Sequence, residues 1–274
     1  MASSSSSSTS SSTSKEMTQL DVLMALQPES AMDYDLHNGG LTFGGRRVFI
    51  RETGKLEYPY GDSTFVAALM TAKCMEYTYT KKLRGARVLE LGAGTGALGL
   101  VAAALGARRV LLSDLPCSIA QLKNNVALNE THWTKSSSDD DEENDYVKGT
   151  LEVCELDWFK PGDVAALGEF DFIVGSELMF DEDLLGPLAN VLVTLTDLNP
   201  KAIVLLGYQD RMLVDDDDIE EAFGPHFEYE RVRSEEMHPE FRVRVCEALR
   251  IYRLRRRKRT SGEERVAEKV DEAL

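Results

Sequence analysis

From Ala86 onward, short apolar runs alternate with longer stretches whose apolar residues recur at helical spacing. Arg87–Leu91, Val110–Ser113, Leu151–Leu156, Phe170–Gly175 and Ala202–Tyr208 read as buried strands, with helical segments between them. This alternation predicts a parallel, doubly wound sheet covered on both faces. Upstream, Gly39–Ile50 reads as a β-hairpin around a glycine turn, and Gly61–Tyr77 as a helix with Ala67, Ala68, Leu69 and Met70 turned inward. Downstream, Phe227–Ser234 and Val243–Leu254 alternate apolar and polar residues, which predicts a closing hairpin at one sheet edge.

The first strand runs into Glu90-Leu91-Gly92-Ala93-Gly94-Thr95-Gly96, and Ala97–Leu105 then reads as a buried helix. Strand, glycine turn and helix make up the opening unit of a nucleotide-binding α/β sheet. Glycine serves where φ is positive or where a ligand approaches the main chain. Residues 94–99 satisfy G-x-G-x-x-G, and Asp114 follows at the end of the second strand, so a dinucleotide is one candidate. A carboxylate at Glu90 argues against it, because a pyrophosphate would be repelled there. S-adenosylmethionine (SAM) carries an ammonium and a sulfonium and no phosphate, which suits an acidic loop. Glu90 could instead cap the loop by accepting backbone N–H bonds. Asp114 is placed to accept from ribose hydroxyls, or to cap the helix that starts near Cys117.

The strand ends that follow carry the remaining candidates. Asp157 and Trp158 close the third strand, where a carboxylate could accept from the adenine amino group beside an aromatic ring. The fourth strand runs into Ser176-Glu177-Leu178-Met179-Phe180, which puts Glu177 at the ligand edge of the sheet with Phe180 within one turn of it.

Charge and composition narrow the class. The 274 residues carry a net charge of −16, which disfavours a protein that tracks phosphate backbones. The four cysteines form no C-x-x-C pair and do not cluster with histidine, so neither a zinc site nor a disulfide framework is expected. No apolar run is long enough to span a membrane. Ala2–Ser14 is a Ser/Thr tract that we expect to be disordered rather than a transit peptide. The acidic run Ser136–Asp145, within an insertion at 134–146, belongs on a helix-to-strand loop away from the ligand edge. The basic run Arg253–Arg259 reads as a solvated strand end and tail, with a nuclear signal or a nucleic-acid patch as the other readings.

In the order VLELGAGTGALG (88–99), LSDLP (112–116), NNVALN (124–129), LDW (156–158) and the strand-four segment 177–180, the chain resembles methyltransferase family 16. This is the seven-β-strand protein-lysine methyltransferases of the methyltransferase-like 21 type. The resemblance spans roughly Gly39 to Arg255. It implies a class I SAM-dependent, Rossmann-like fold: seven strands, mostly parallel, with an antiparallel C-terminal hairpin and an extra N-terminal β-hairpin. It also implies SAM as cofactor and transfer of a methyl group to a lysine of a protein substrate. Two positions depart from the family pattern. Glu177-Leu178-Met179-Phe180 stands where the family has D-x-x-Y, and Phe65 stands near a position where it has tryptophan.

The expected division is a tail at 1–18, a hairpin-bearing extension at 19–60, the SAM-binding domain at 61–255 and a charged tail at 256–274. Glu177 and Phe180 are the catalytic candidates. Glu90, Gly92, Gly94, Gly96, Asp114, Leu115, Asp157, Trp158, Ser176 and Phe65 are the candidates for cofactor binding. A small-molecule methyltransferase and a SAM-binding scaffold without catalysis are the alternatives. A nucleic-acid amino methyltransferase is disfavoured, since the segment after strand four has no proline. We expect a monomer with no membrane partner. Cytoplasm is the default location; the basic run keeps the nucleus open, and organelle import is disfavoured.

Overall fold

The computed structural model describes residues 41–52, 63–136, 149–162, 164–210, 214–242 and 249–258. The Ser/Thr tract, most of the 19–60 extension, residues 137–148 of the acidic insertion, residues 243–248 and the tail beyond 258 lie outside them.

A two-stranded antiparallel hairpin, β1 (Leu41–Phe43) and β2 (Arg46–Val48), turns at Gly44 and Gly45, both at positive φ. Helix α1 (Val66–Leu83) leads into β3 (Arg87–Leu91), α2 (Ala97–Ala104), β4 (Arg109–Asp114), α3 (Ile119–Ser136) and β5 (Thr150–Glu155). The chain continues through β6 (Phe172–Ser176), α4 (Glu182–Leu198), β7 (Ile203–Gln209), α5 (Asp216–Phe223), β8 (Phe227–Arg231), α6 (Pro239–Arg242) and β9 (Leu249–Arg256). The main sheet has seven strands in the order β5-β4-β3-β6-β7-β9-β8.

Strand periodicity distributes the core. Along β3, Val88 packs with the apolar cluster on the α1, α2 and α3 face, while Leu89 and Leu91 pack on the α4 and α5 face. Glu90 therefore shares the face of Val88, toward α2. All eight residues of α2 are buried, because the hairpin covers the side that the sheet leaves open. Leu41, Phe43, Val48 and Ile50 belong to that same cluster, which makes the hairpin a further layer of the core.

The five core strands fall within two residues of the runs read from sequence, and α1 is shifted to start at Val66. The closing antiparallel hairpin forms at one sheet edge as read; within it β9 inserts antiparallel between β7 and β8, leaving β8 outermost. Ile251 is accordingly buried on one face and Tyr252 and Leu254 on the other. The basic run is corrected in part. Arg253, only 8% exposed, donates to Glu230, Glu236 and the Tyr79 hydroxyl. Arg256 pairs with Asp197, and Arg257 donates to the Gly224 and Phe227 carbonyls. Arg253 and Arg256 thus hold the sheet edge together, whereas Arg255, Arg257 and Lys258 are exposed, so the run is solvated only in part.

Candidate functional site

The C-terminal ends of β3, β4, β5 and β6 open on one cavity of about 890 Å³, at the position where open α/β sheets bind ligands. Its floor is the glycine loop between β3 and α2. Gly92 and Gly94 both have φ +53°, so the main chain folds back on itself and faces the cavity. A Cβ at Gly92 would lie 2.5 Å from Leu178 Cδ2 and 3.4 Å from the Trp158 ring, so together with its positive φ any larger residue would need Leu178 to move and the backbone to be strained. Gly96, at φ +83°, caps α2; a Cβ there would lie 2.8 Å from Leu112 and 3.1 Å from Leu122. Its role is packing against β4 and α3, and among the sequence-derived candidates it alone does not line the cavity.

Two carboxylates hold this loop. Glu90, 3% exposed, accepts from the Leu98 N–H at 3.1 Å and the Gly99 N–H at 2.7 Å, in the first turn of α2. Capping is thus the observed geometry, and it strengthens the case against a phosphate. The N–H groups a pyrophosphate would need at the helix N-terminus are taken by the protein's own carboxylate. Burial pushes the Glu90 carboxyl up to about 8, against the two N–H bonds that favour its charged form; nearby Asp114 adds to the rise. Asp114 accepts from the Gly94 N–H at 2.6 Å and the Leu115 N–H at 2.7 Å, tying the end of β4 to the loop on β3. It does not cap α3, which begins at Ile119. Its carboxyl is also raised, by burial.

The remaining candidates surround the same space. Leu115, Asp157, Trp158, Ser176, Glu177, Phe180 and Phe65 all line it. Asp157 accepts from the Phe159 N–H at 2.9 Å, an Asx turn that still presents the carboxylate to the cavity. Phe65 is the N-terminal cap residue of α1, and it and Phe159 leave aromatic surface exposed at the mouth. Among the described lining residues there is no lysine, arginine or histidine.

Glu177 is set apart by its backbone. Among the described residues it is the one non-glycine at positive φ, +60°, with its N–H donated to the Gly207 carbonyl. Its side chain is 7% exposed and lines the cavity. A left-handed conformation costs a non-glycine residue about 1–2 kcal/mol, and such outliers gather at functional sites.

Sequence reasoning missed the amides. Asn125 and Asn129, one turn apart on α3, are 1% and 0% exposed. Asn129 accepts from the Phe49 N–H and donates to the Phe49 carbonyl, at 2.9 and 2.7 Å. Asn125 does the same with Arg51, at 3.0 and 3.1 Å. The signal was visible as polar amides at i and i+4 on a helix face otherwise filled by Leu122 and Val126. What they grip depends on the segment after β2 lying along α3, which no local pattern reports.

The sheet order, the single reversed strand β9 and the carboxylate-held glycine loop define the class I SAM-dependent methyltransferase fold. A family model described as lysine methyltransferase matches residues 60–223, and the chain belongs to that family. It is 33% identical over 126 residues to the protein N-lysine methyltransferase METTL21A of Mus musculus, across 46% of this chain and 50% of that protein. Similarity to the EEF1A lysine methyltransferase 3 of Mus musculus is 32% over 112 residues, or 39% and 41% of the two chains. Against the protein-lysine methyltransferase METTL21E of Mus musculus it is 26% over 216 residues, or 77% and 79%. The chain spans about half the length of METTL21A in that match.

Proposed function

We propose that this protein binds SAM in the cavity and transfers its methyl group to the side-chain amine of a lysine on a protein substrate. The observation that carries the reading is Glu177: a buried carboxylate, held in a costly backbone conformation, at the sheet end where the acceptor must meet the cofactor. The residues present suit SAM. Asp114 and Asp157 give the cavity acidic character, the loop glycines admit close approach, and the described lining residues include no basic side chain for a phosphate. When bound, SAM supplies an electrophilic methyl group on a sulfonium. Asp114 and the glycine loop would hold the nucleoside part, with Asp157 and Trp158 beside the base.

The chain's own task is to present a neutral amine in line. Near pH 7 only about one free lysine in 10³ is neutral, and a partly dry site lowers that cost by disfavouring the ammonium. Leu178, Phe180 and Phe65 supply apolar wall, and the aromatic faces suit a methylated ammonium through cation–π contact. Glu177 opposes deprotonation, so its part is to draw in and orient the amine. The net charge of −16 favours encounter with a basic protein surface. Engagement of Arg253 and Arg256 in the sheet edge removes two cations of the basic run from any nuclear signal, and we keep cytoplasm as the proposed location.

The test is transfer of label from methyl-radiolabelled SAM into a cell extract, with parallel samples treated with protease or nuclease. A discrete protease-sensitive band, with label recovered on lysine, is the expected result. Label that survives both treatments in the small-molecule fraction would replace the protein acceptor with a small one. SAM binding without any transfer would reduce the protein to a scaffold.

Glu90 supplies a second expected result. Its folded-state pKa of about 8 lies above the unfolded value of 4.5, so near pH 7 the protein without cofactor keeps that proton. The cost of ionising Glu90 therefore builds up as pH rises from about 4.5 to about 8. A cationic cofactor alongside favours the carboxylate and lowers its pKa. Binding should then release protons at pH 7, and affinity should weaken as pH falls from 8 to 6. Calorimetry in buffers of different ionisation enthalpy measures this; proton uptake, or none, would contradict it.

A further inference from the structure

We propose that Asn125 is a positioning residue through which the segment that leaves the N-terminal hairpin at Arg51 holds the cofactor loop in its binding conformation. The inference rests on the assignment of SAM to the cavity. Asn125 uses one amide for two tasks. Its Oδ1 accepts from the Arg51 N–H and its Nδ2 donates to the Arg51 carbonyl, so the side chain pairs with that residue as a neighbouring strand would. The second Nδ2 proton goes to the carbonyl of Thr95, inside the glycine loop, at 2.9 Å. Thr95 is itself 3% exposed and lines the cavity.

A second tie runs in parallel. The Thr64 and Thr95 hydroxyls meet at 2.9 Å, and the Thr64 N–H donates to Glu52 Oε1 at 2.7 Å. Thr95 is therefore held by its carbonyl and by its hydroxyl, both through groups anchored to the segment that leaves β2. On the opposite side the loop is held by Asp114 through Gly94. Loops rich in glycine have conformational freedom to lose on binding, and a loop fixed from both sides has less left to lose.

Asn129 provides a control within the same helix. Its grip on Phe49 is the same pairing, but its remaining Nδ2 proton returns to the Asn125 carbonyl of its own helix at 2.8 Å. Both residues anchor the segment that leaves β2, and only Asn125 reaches the cofactor loop. A purely structural role predicts the same consequence for both. A positioning role separates them.

The experiment compares Asn125→Ala and Asn129→Ala with the full-length protein, measuring SAM affinity by calorimetry and stability by urea unfolding. Both variants should lose stability. Asn125→Ala should also weaken SAM binding by about tenfold or more, while Asn129→Ala should stay within about twofold. Equal weakening, or none in either, overturns the inference. Should Asn125→Ala fail to fold, hydrogen exchange on the wild-type protein decides the question. Saturating SAM should slow exchange of the Arg51 amide several-fold more than that of Phe49, and equal protection overturns the inference. Wild-type protein that binds no SAM would remove the cofactor assignment and this inference with it. SAM binding with equal loss in the two variants would remove only the role of Asn125.

Discussion

Replacing Glu177 with alanine should lower kcat/KM for methyl transfer by about 10³- to 10⁴-fold while leaving SAM affinity within about threefold. The size follows from two contributions. A charge-assisted hydrogen bond to the incoming amine is worth about 1.5–3 kcal/mol, and poor alignment of donor and acceptor costs about another 10²-fold. Affinity for SAM should hold because the loop is fixed by Glu90 and Asp114, neither of which bonds to Glu177. Glu177→Gln keeps size and polarity but loses charge, and should fall between wild type and alanine. Glu177→Gly separates function from fold. Glycine takes φ of +60° without the left-handed penalty, so this variant should melt no lower than wild type while remaining as inactive as alanine. An inactive Glu177→Gly that also melts far below wild type would point to a structural role for the carboxylate. Full activity in any of the three on the lysine substrate would remove Glu177 from the site.

The fold was legible because its strands are short apolar runs bounded by charges and glycines, and burial on both faces leaves little room for another reading. The ligand edge was legible for the same reason: in a parallel sheet every strand-to-helix turn falls at one end, so Glu90, Asp114, Asp157 and Glu177 had to converge. Three things could not be read in advance. The insertion of β9 between β7 and β8 is a choice between two edges that pair equally well locally, and only the burial of Ile251 and Leu254 reports it. Arg253 looked like part of a solvated basic run because its partners Glu230, Glu236 and Tyr79 are distant in sequence or on other elements. The positive φ of Glu177 has no sequence signature, since the residue there is not glycine, asparagine or aspartate. Glu90 shows a subtler gap. The choice of SAM over a dinucleotide was argued from its charge, whereas the structure adds a steric and hydrogen-bonding reason, its occupation of the α2 N-terminus.

Asp114→Asn should abolish tight SAM binding, raising Kd by about 10²-fold or more, although the two side chains are nearly the same size. Asp114 accepts two backbone N–H bonds, Gly94 on one oxygen and Leu115 on the other. An asparagine has only one oxygen, so either orientation turns an NH₂ group toward one of those donors. If the amide keeps Leu115, the Gly94 N–H loses its partner and the floor of the cavity is released. Keeping Gly94 instead frees the Leu115 N–H and disturbs the chain between β4 and α3, which also lines the cavity. In both orientations fewer lone pairs remain for ribose hydroxyls, because the carboxylate also accepts from the Ser118 side chain. Bonds to a charged acceptor are worth about 1.5–3 kcal/mol each, so unfolding in urea should report a loss of about 2 kcal/mol, short of unfolding the domain. Glu177→Ala is the counterpart: it should spare binding and remove transfer, whereas Asp114→Asn should remove binding, with transfer recovering in part at high SAM concentration. If Asp114→Asn binds SAM as tightly as wild type, the loop does not need its second tether and the cofactor is held elsewhere in the cavity.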